Sequence, residues 1–325
     1  MILTLILSVI LAFGLDWLCM ILSGGTIRGL INGYELPGII VILAGLIFLS
    51  GSGKDFCRIF TGAPKLKSLE LSQLRRTEKS LDFVNKAVFY ICLFFILIGG
   101  IFFYLNIDFR TSLGPNLATI LGSLLYMTFL ISIFITLKAK LRTKIINVMA
   151  EEAPVTADKK PARQPKEIIK TVLQIVIALA VIIAMTIAVL IFHVSNEQEA
   201  VTINPLMFID LPSFLYIFLS AFILLALSGN LKNFFKAFGA IFKKAKISVS
   251  QKNLYENAIA SLRQIMIMTG IRGSIIGFTG ILFNLNDRSY LGITMFVAMI
   301  PALYAIIICS VLMVVEARVE GLVEE

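Results

Sequence analysis

The stretch FIDLPSFLYIFLSAFILLALSGNLKNFFKAF, Phe208–Phe238, decides how the chain is read. It opens with Asp210, Pro212 and Ser213, continues as an apolar run, and closes where Lys232 and Lys236 alternate with phenylalanines. An acid and a proline suit the first turn of a helix, where freed amides favour negative charge and proline has no amide to lose. At the basic end Leu231, Phe234, Phe235, Phe238, Ile241 and Phe242 follow helical spacing, with Lys232, Lys236, Lys243 and Lys244 among them. Such a segment leaves a membrane along its interface with its lysines reaching for phosphate. Docking of a partner on the strip is the alternative.

The rest of the chain has the same character. It has 325 residues, is 58% hydrophobic and 15% charged, and its mean hydropathy is +0.93. A soluble domain of this size carries more surface charge, so an integral membrane protein is expected. A crossing takes about 20 apolar residues as a helix. That ruler gives eight spans, near 2–22, 36–53, 87–105, 116–137, 171–193, 210–229, 264–283 and 292–315. The alternating pattern of a membrane barrel is absent. The first run lacks a basic n-region and a small-residue cleavage site, so it is expected to be a retained helix.

The net charge of +9 is placed by topology. With the N-terminus inside, the expected cytoplasmic loops 51–86, 138–170, 230–263 and 316–325 hold 8, 9, 7 and 1 Lys or Arg. The outer loops hold only Arg28, Arg110 and Arg288. The positive-inside rule then puts both termini in the cytoplasm. Cys19, Cys92 and Cys309 lie in spans and Cys57 follows one, an arrangement that points away from disulfides and zinc.

The opening stretch has a copy. LSGSGKDFCRIF (49–60) lies over LSGNLKNFFKAF (227–238) at an offset of 178, with Leu49, Ser50, Gly51, Lys54, Phe56 and Phe60 identical. The same offset lays NIDFRTSLG (106–114) over NLNDRSYLG (284–292) and Leu125-Tyr126 over Leu303-Tyr304. Glu35-Leu36-Pro37 opens the earlier copy as Asp210-Leu211-Pro212 opens the later. Two repeats of four spans, necessarily in the same orientation, are expected: 1–137 and 169–325, joined by a cytoplasmic linker at 138–168 that is rich in charge, Ala and Pro. The fold class is therefore all-α, polytopic, with eight membrane helices in two parallel four-helix repeats.

The second repeat resembles the MotA/TolQ/ExbB family. FIDLPSFLYIFLS…SGNLKNFFKAF is similar to the second span of MotA, and GIRGSIIGFTGILFNLNDRSYLG with ALYAIII to its third and fourth. Asp210, Pro212, Gly270, Gly273, Ser274, Gly277, Asn284, Asp287, Ser289, Leu291, Gly292 and Tyr304 carry the resemblance; LGPNLATILGSLLY (113–126) carries it more weakly in the first repeat. The family forms rings in bacterial inner membranes around a single-span partner (MotB, ExbD or TolR) whose carboxylate carries protons or sodium. The resemblance thus implies a homo-oligomeric ring subunit of an ion-driven motor, with a single-span partner supplying the acid. A non-conducting scaffold derived from the family is the alternative.

Departures from the family are specific. The loop between the second and third spans shrinks to 51–86 and 230–263, which removes the helices that would engage a flagellar rotor. Ile267 stands where the third span has proline. The paired threonines of the fourth span become Pro301-Ala302 and Ser123-Leu124. Family rings hold five copies, so tandem repeats imply either three chains in six places or five chains with one repeat at the axis; the second repeat is the expected inner one.

Gly270, Gly273, Ser274 and Gly277 share one helical face, a small-residue ridge that either lines an ion pathway or packs against a neighbouring span. Thr119 and Ser123, on the fourth span of the first repeat, are candidates for a different part of the same lining. Two charges fall within spans, where each costs about 2.5–3.5 kcal/mol at mid-membrane on insertion scales. Arg272 is expected to be a paired structural or lipid-contacting charge, with gating as the alternative. Asp16, by residue count, lies about 9 Å nearer the outside, too far for an easy direct pair. His193 is read as an ordinary interfacial residue. No nucleophile set, metal-ligand cluster or nucleotide loop is legible (GSGK at 51–54 is too short for a P-loop), so neither an enzyme nor a cofactor is expected.

Overall fold

The computed structural model describes residues 1–26, 30–31, 35–60, 70–105, 110–152, 208–243, 247–283, 291–320 and 322. Among them the regular elements are helical: α1 (Ile2–Leu22), α2 (Glu35–Leu49), α3 (Gly53–Cys57, continued by a 3-10 turn Arg58–Phe60), α4 (Leu71–Leu105), α5 (Arg110–Glu152), α6 (Leu211–Leu227), α7 (Leu231–Lys243), α8 (Val249–Phe283) and α9 (Leu291–Glu320). Five are long and apolar enough to cross a membrane, or seven if each of two bent pairs counts as one span. This is the architecture of a multi-pass membrane protein. The expected span at 171–193, with His193, and most of the expected linker lie outside the described residues.

The two bent pairs are α2 with α3–Phe60, turned by 120°, and α6 with α7, turned by 103°. Each turns on a glycine in the left-handed region, Gly51 (φ 69°) and Gly229 (φ 78°), which a Cβ would disfavour. At the second bend the Gly229 amide donates to Ala226 O (2.9 Å), the Asn230 amide to Leu225 O (3.3 Å) and Ser228 Oγ to the same Leu225 carbonyl (2.7 Å). The carbonyls released at the end of α6 are thereby satisfied. At the start of α6 Asp210 is the N-cap, its Oδ2 accepting from the Ser213 amide at 3.3 Å, and Pro212 follows in the first turn. α7 buries Phe234, Ala237, Ala240 and Ile241 and leaves Phe235 outside. The stacked and edge-on rings of Phe214, Phe218, Phe222, Phe234 and Phe238 run on continuously across the bend.

Three segments expected as polar loops are largely helix. α4 begins at Leu71, α8 at Val249, and α5 continues past Leu137 to Glu152. Periodic burial explains it: Leu74, Thr77, Leu81 and Val84 line one face of α4, and Leu141 and Ile145 continue the buried face of α5. At about 1.5 Å per residue, the 43 residues of α5 reach about 65 Å, well beyond a bilayer core of about 30 Å.

α5 is central. It pairs antiparallel with α4, where Lys138 bonds Asp82, and packs against α8, which pairs with α9 through Arg263 and Glu316 (3.1 Å). Thr128, Ser132 and Thr136 return their hydroxyls to carbonyls one turn back, so α5 can bury them among apolar neighbours. A polar network joins α5, α8 and the Gly229 bend: Asn257 Nδ2 donates to Ala139 O and Thr143 Oγ1 (both 3.0 Å), and Thr143 Oγ1 bonds Asn230 Oδ1 (2.6 Å).

Candidate functional site

Arg272 and Asp16 are a direct ion pair, which corrects the expectation that their depths keep them apart. Arg272 Nε lies 3.0 Å from Asp16 Oδ1, and the side chains are 0% and 2% exposed. Residue counting failed because it set both helices upright and level; α8 is 35 residues long and α1 is 21, and an arginine reaches far from its own backbone.

Tyr216 of α6 completes the group. Its hydroxyl donates to Asp16 Oδ1 at 2.7 Å and accepts from Arg272 Nε at 3.1 Å. The guanidinium carbon also stands 5.7 Å from the centroid of the Phe129 ring on α5, within cation–π range. Four helices, α1, α5, α6 and α8, therefore converge on one charge. Arg272 Nη1 and Nη2 are buried and have no hydrogen-bond partner among the described residues. Nothing in the sequence marked Tyr216 apart from the other aromatics of the run.

Tyr216 also walls a cavity of about 840 Å³ between α1, α6, α8 and α9, lined by Cys19 and Ser23 of α1, Gly273, Gly277 and Gly280 of α8, and Ala298 and Pro301 of α9. Its size is that of a small-molecule site. Among the described residues no group of three His, Cys, Asp or Glu is placed to hold a metal ion.

The small-residue ridge is in close contact within the chain. A Cβ on Gly270 would fall 2.3 Å from Ala305 Cβ, one on Gly273 would fall 2.9 Å from Pro301 Cβ and Tyr216 Cε1, and one on Gly277 would fall 2.9 Å from Ala298 Cβ. α8 and α9 thus approach nearly backbone to backbone. Ser274 accepts from the Ala302 amide at 3.2 Å, beside Pro301, a residue that disturbs the ladder of α9.

Other expected site residues are dispersed. The Asp210 amide donates to the Tyr304 hydroxyl at 2.9 Å, and that hydroxyl donates to Phe208 O. Gly292 sits in the first turn of α9; Asn284 lies outside the described residues, as does the side chain of Thr119. Ser123 is fully buried on α5, its hydroxyl beside the Glu35 carboxyl group. The four cysteines are free. Comparison of the chain with family models, curated proteins and solved structures finds no match.

Proposed function

We propose that the chain is a duplicated subunit of an ion-coupled membrane assembly of the MotA/TolQ/ExbB type, working as a ring in a bacterial inner membrane with a single-span partner that supplies the ion-carrying acid. Both termini are cytoplasmic in this reading. The observation that carries it is a set of matched details 178 residues apart. α4 and α8 are each 35 residues long and start at Leu71 and Val249. The left-handed glycines are Gly51 and Gly229. The Tyr126 hydroxyl donates to Leu30 O at 3.1 Å, as that of Tyr304 does to Phe208 O.

One further pair matches in position with its chemistry exchanged. Phe95 of α4 packs over Gly38 of α2, with Phe95 Cζ 3.1 Å from where a Cβ would stand; Tyr216 of α6 packs over Gly273 of α8. Complementary exchange of this kind is what two copies acquire when they diverge under a packing constraint. Lys138 of α5 and Glu316 of α9, 178 residues apart, each pair with the preceding long helix, Lys138 with Asp82 and Glu316 with Arg263, at partner positions that differ by about one turn.

The non-conducting scaffold is kept as a second reading because one observation favours it. Asp16 is neutralised by Arg272, and Gly270, Gly273, Ser274 and Gly277 are engaged by α9 and Tyr216. Electron cryo-microscopy of the detergent-purified protein separates the two. A closed ring with a helix on its axis supports the ion-coupled assembly; a monomer or dimer without an axial opening removes it.

A further inference from the structure

Glu35 was legible only as an acid opening a helix. In the structure its side chain is turned inward, with 4% of the residue exposed, and among the described residues neither carboxyl oxygen has a partner in full hydrogen-bond geometry. It fits a notch on α5 made by a glycine: a Cβ on Gly122 would stand 3.0 Å from Glu35 Oε2. The next residue is Ser123, whose buried hydroxyl is the one hydrogen-bonding group beside the carboxyl among the described residues, though not in full hydrogen-bond geometry. One turn along α2 the walls are apolar, with Phe95 over Gly38 and Ile39 fully buried.

Among the described residues the titratable and charged groups around the notch are few. α4 contributes Cys92, which is buried within electrostatic reach of Glu35. On α5, Tyr126 lies one turn beyond Gly122 and donates to Leu30 O. Lys54, Asp55 and Arg58 belong to the segment beyond the opposite end of α2, a helix of 15 residues and about 22 Å. No described cation stands in ion-pairing range of the carboxyl group to neutralise it, as Arg272 neutralises Asp16. With a single hydroxyl beside it and no described cation opposite, an ionised carboxylate in such surroundings is strongly unfavourable, and a group so placed takes up a proton instead.

We propose that the Glu35–Ser123 notch is a proton-binding site: Glu35 is held as a neutral carboxylic acid against Gly122, with the Ser123 hydroxyl beside it to share the proton. The site lies within the first half of the chain, whereas the Arg272 clasp joins the two halves. It goes beyond the assembly proposed above and does not depend on it, since a scaffold that conducts nothing would bind this proton equally.

The test uses the full-length protein in membranes and the apolar reagent dicyclohexylcarbodiimide, which modifies protonated carboxyl groups in apolar surroundings. Mass spectrometry reads the labelled fraction of the peptide containing Glu35 across a pH series. Labelling is expected at low pH, falling about tenfold per pH unit beyond a midpoint. The Glu35→Gln variant should lose the labelled peptide, and Gly122→Ala and Ser123→Ala should each move the midpoint. Labelling that is absent at every pH, or flat with pH, overturns the proposal. Protection by sodium at constant pH also overturns it, by making a metal cation the ligand. The unsubstituted protein gives the deciding curve, so poor folding of a variant does not void the result.

Discussion

Asp16 and Arg272, 256 positions apart in the chain, meet at 3.0 Å with 2% and 0% of their side chains exposed. Removing one partner strands the other. Arg272→Met should therefore destabilise by about 3–5 kcal/mol, as broken buried pairs do. The double variant Asp16→Asn with Arg272→Met should recover much of that loss, because no bare charge remains. Thermal unfolding in detergent, read as a double-mutant cycle, checks both values; equal losses in single and double variants would show that the pair is not coupled.

Tyr216→Phe keeps the ring over Gly273 and removes only the hydroxyl between Asp16 and Arg272. A hydrogen bond to a charged group contributes about 1.5–3 kcal/mol, and a loss in that range is expected. The same unfolding assay reads it, with Tyr90→Phe, on an exposed side chain, as the comparison that should change little.

The glycines divide by what surrounds them. Gly270→Val would drive a side chain into Ala305 and the Pro301 carbonyl and should cost about 1–3 kcal/mol or more. Gly45→Ala and Gly100→Ala face open space within their helices and should be neutral or gain up to about 1 kcal/mol. Melting temperatures moving in opposite directions would bear this out; a neutral Gly270→Val would mean that α8 and α9 are not held at this spacing.

Gly229→Ala should cost about 1–2 kcal/mol, since its φ of 78° is left-handed, and Gly51→Ala should cost a similar amount for the same reason. Limited proteolysis at each bend, with and without the substitution, would show whether the loss is local to it.

Asn257→Ala breaks the links from α8 to Ala139 O and Thr143 Oγ1 and leaves the buried acceptors short of a donor. A loss of about 1–3 kcal/mol is expected. Hydrogen exchange should quicken at the Asn230 bend as well as at Asn257, because Thr143 links the two.

What the sequence revealed was whatever depends on neighbours along the chain. Apolar run lengths marked a multi-pass chain, of which five to seven helices long and apolar enough to cross stand among the described residues, and Asp210-Leu211-Pro212 marked where α6 starts, since capping and proline act within one turn. Polar residues at 71–86 and 138–152 were misleading, because charge composition hides a narrow buried face such as Leu74–Leu81–Val84. Arg272 was visible as a costly charge, but its partner was not, for pairing is set by helix tilt and side-chain reach. Glu35 shows the same limit: a first-turn acid reads as a helix opener whether it faces water or a glycine notch.

The exchanged contacts, Phe95 on Gly38 and Tyr216 on Gly273, bear on how freely the halves of the chain could trade parts. Set α2 against α8, and glycine would face glycine, leaving a void; set α6 against α4, and tyrosine would meet phenylalanine in space for one ring. If both halves descend from one ancestor, each has since become a lock cut for its own key, so a half could be copied whole but single helices could no longer be exchanged between the two.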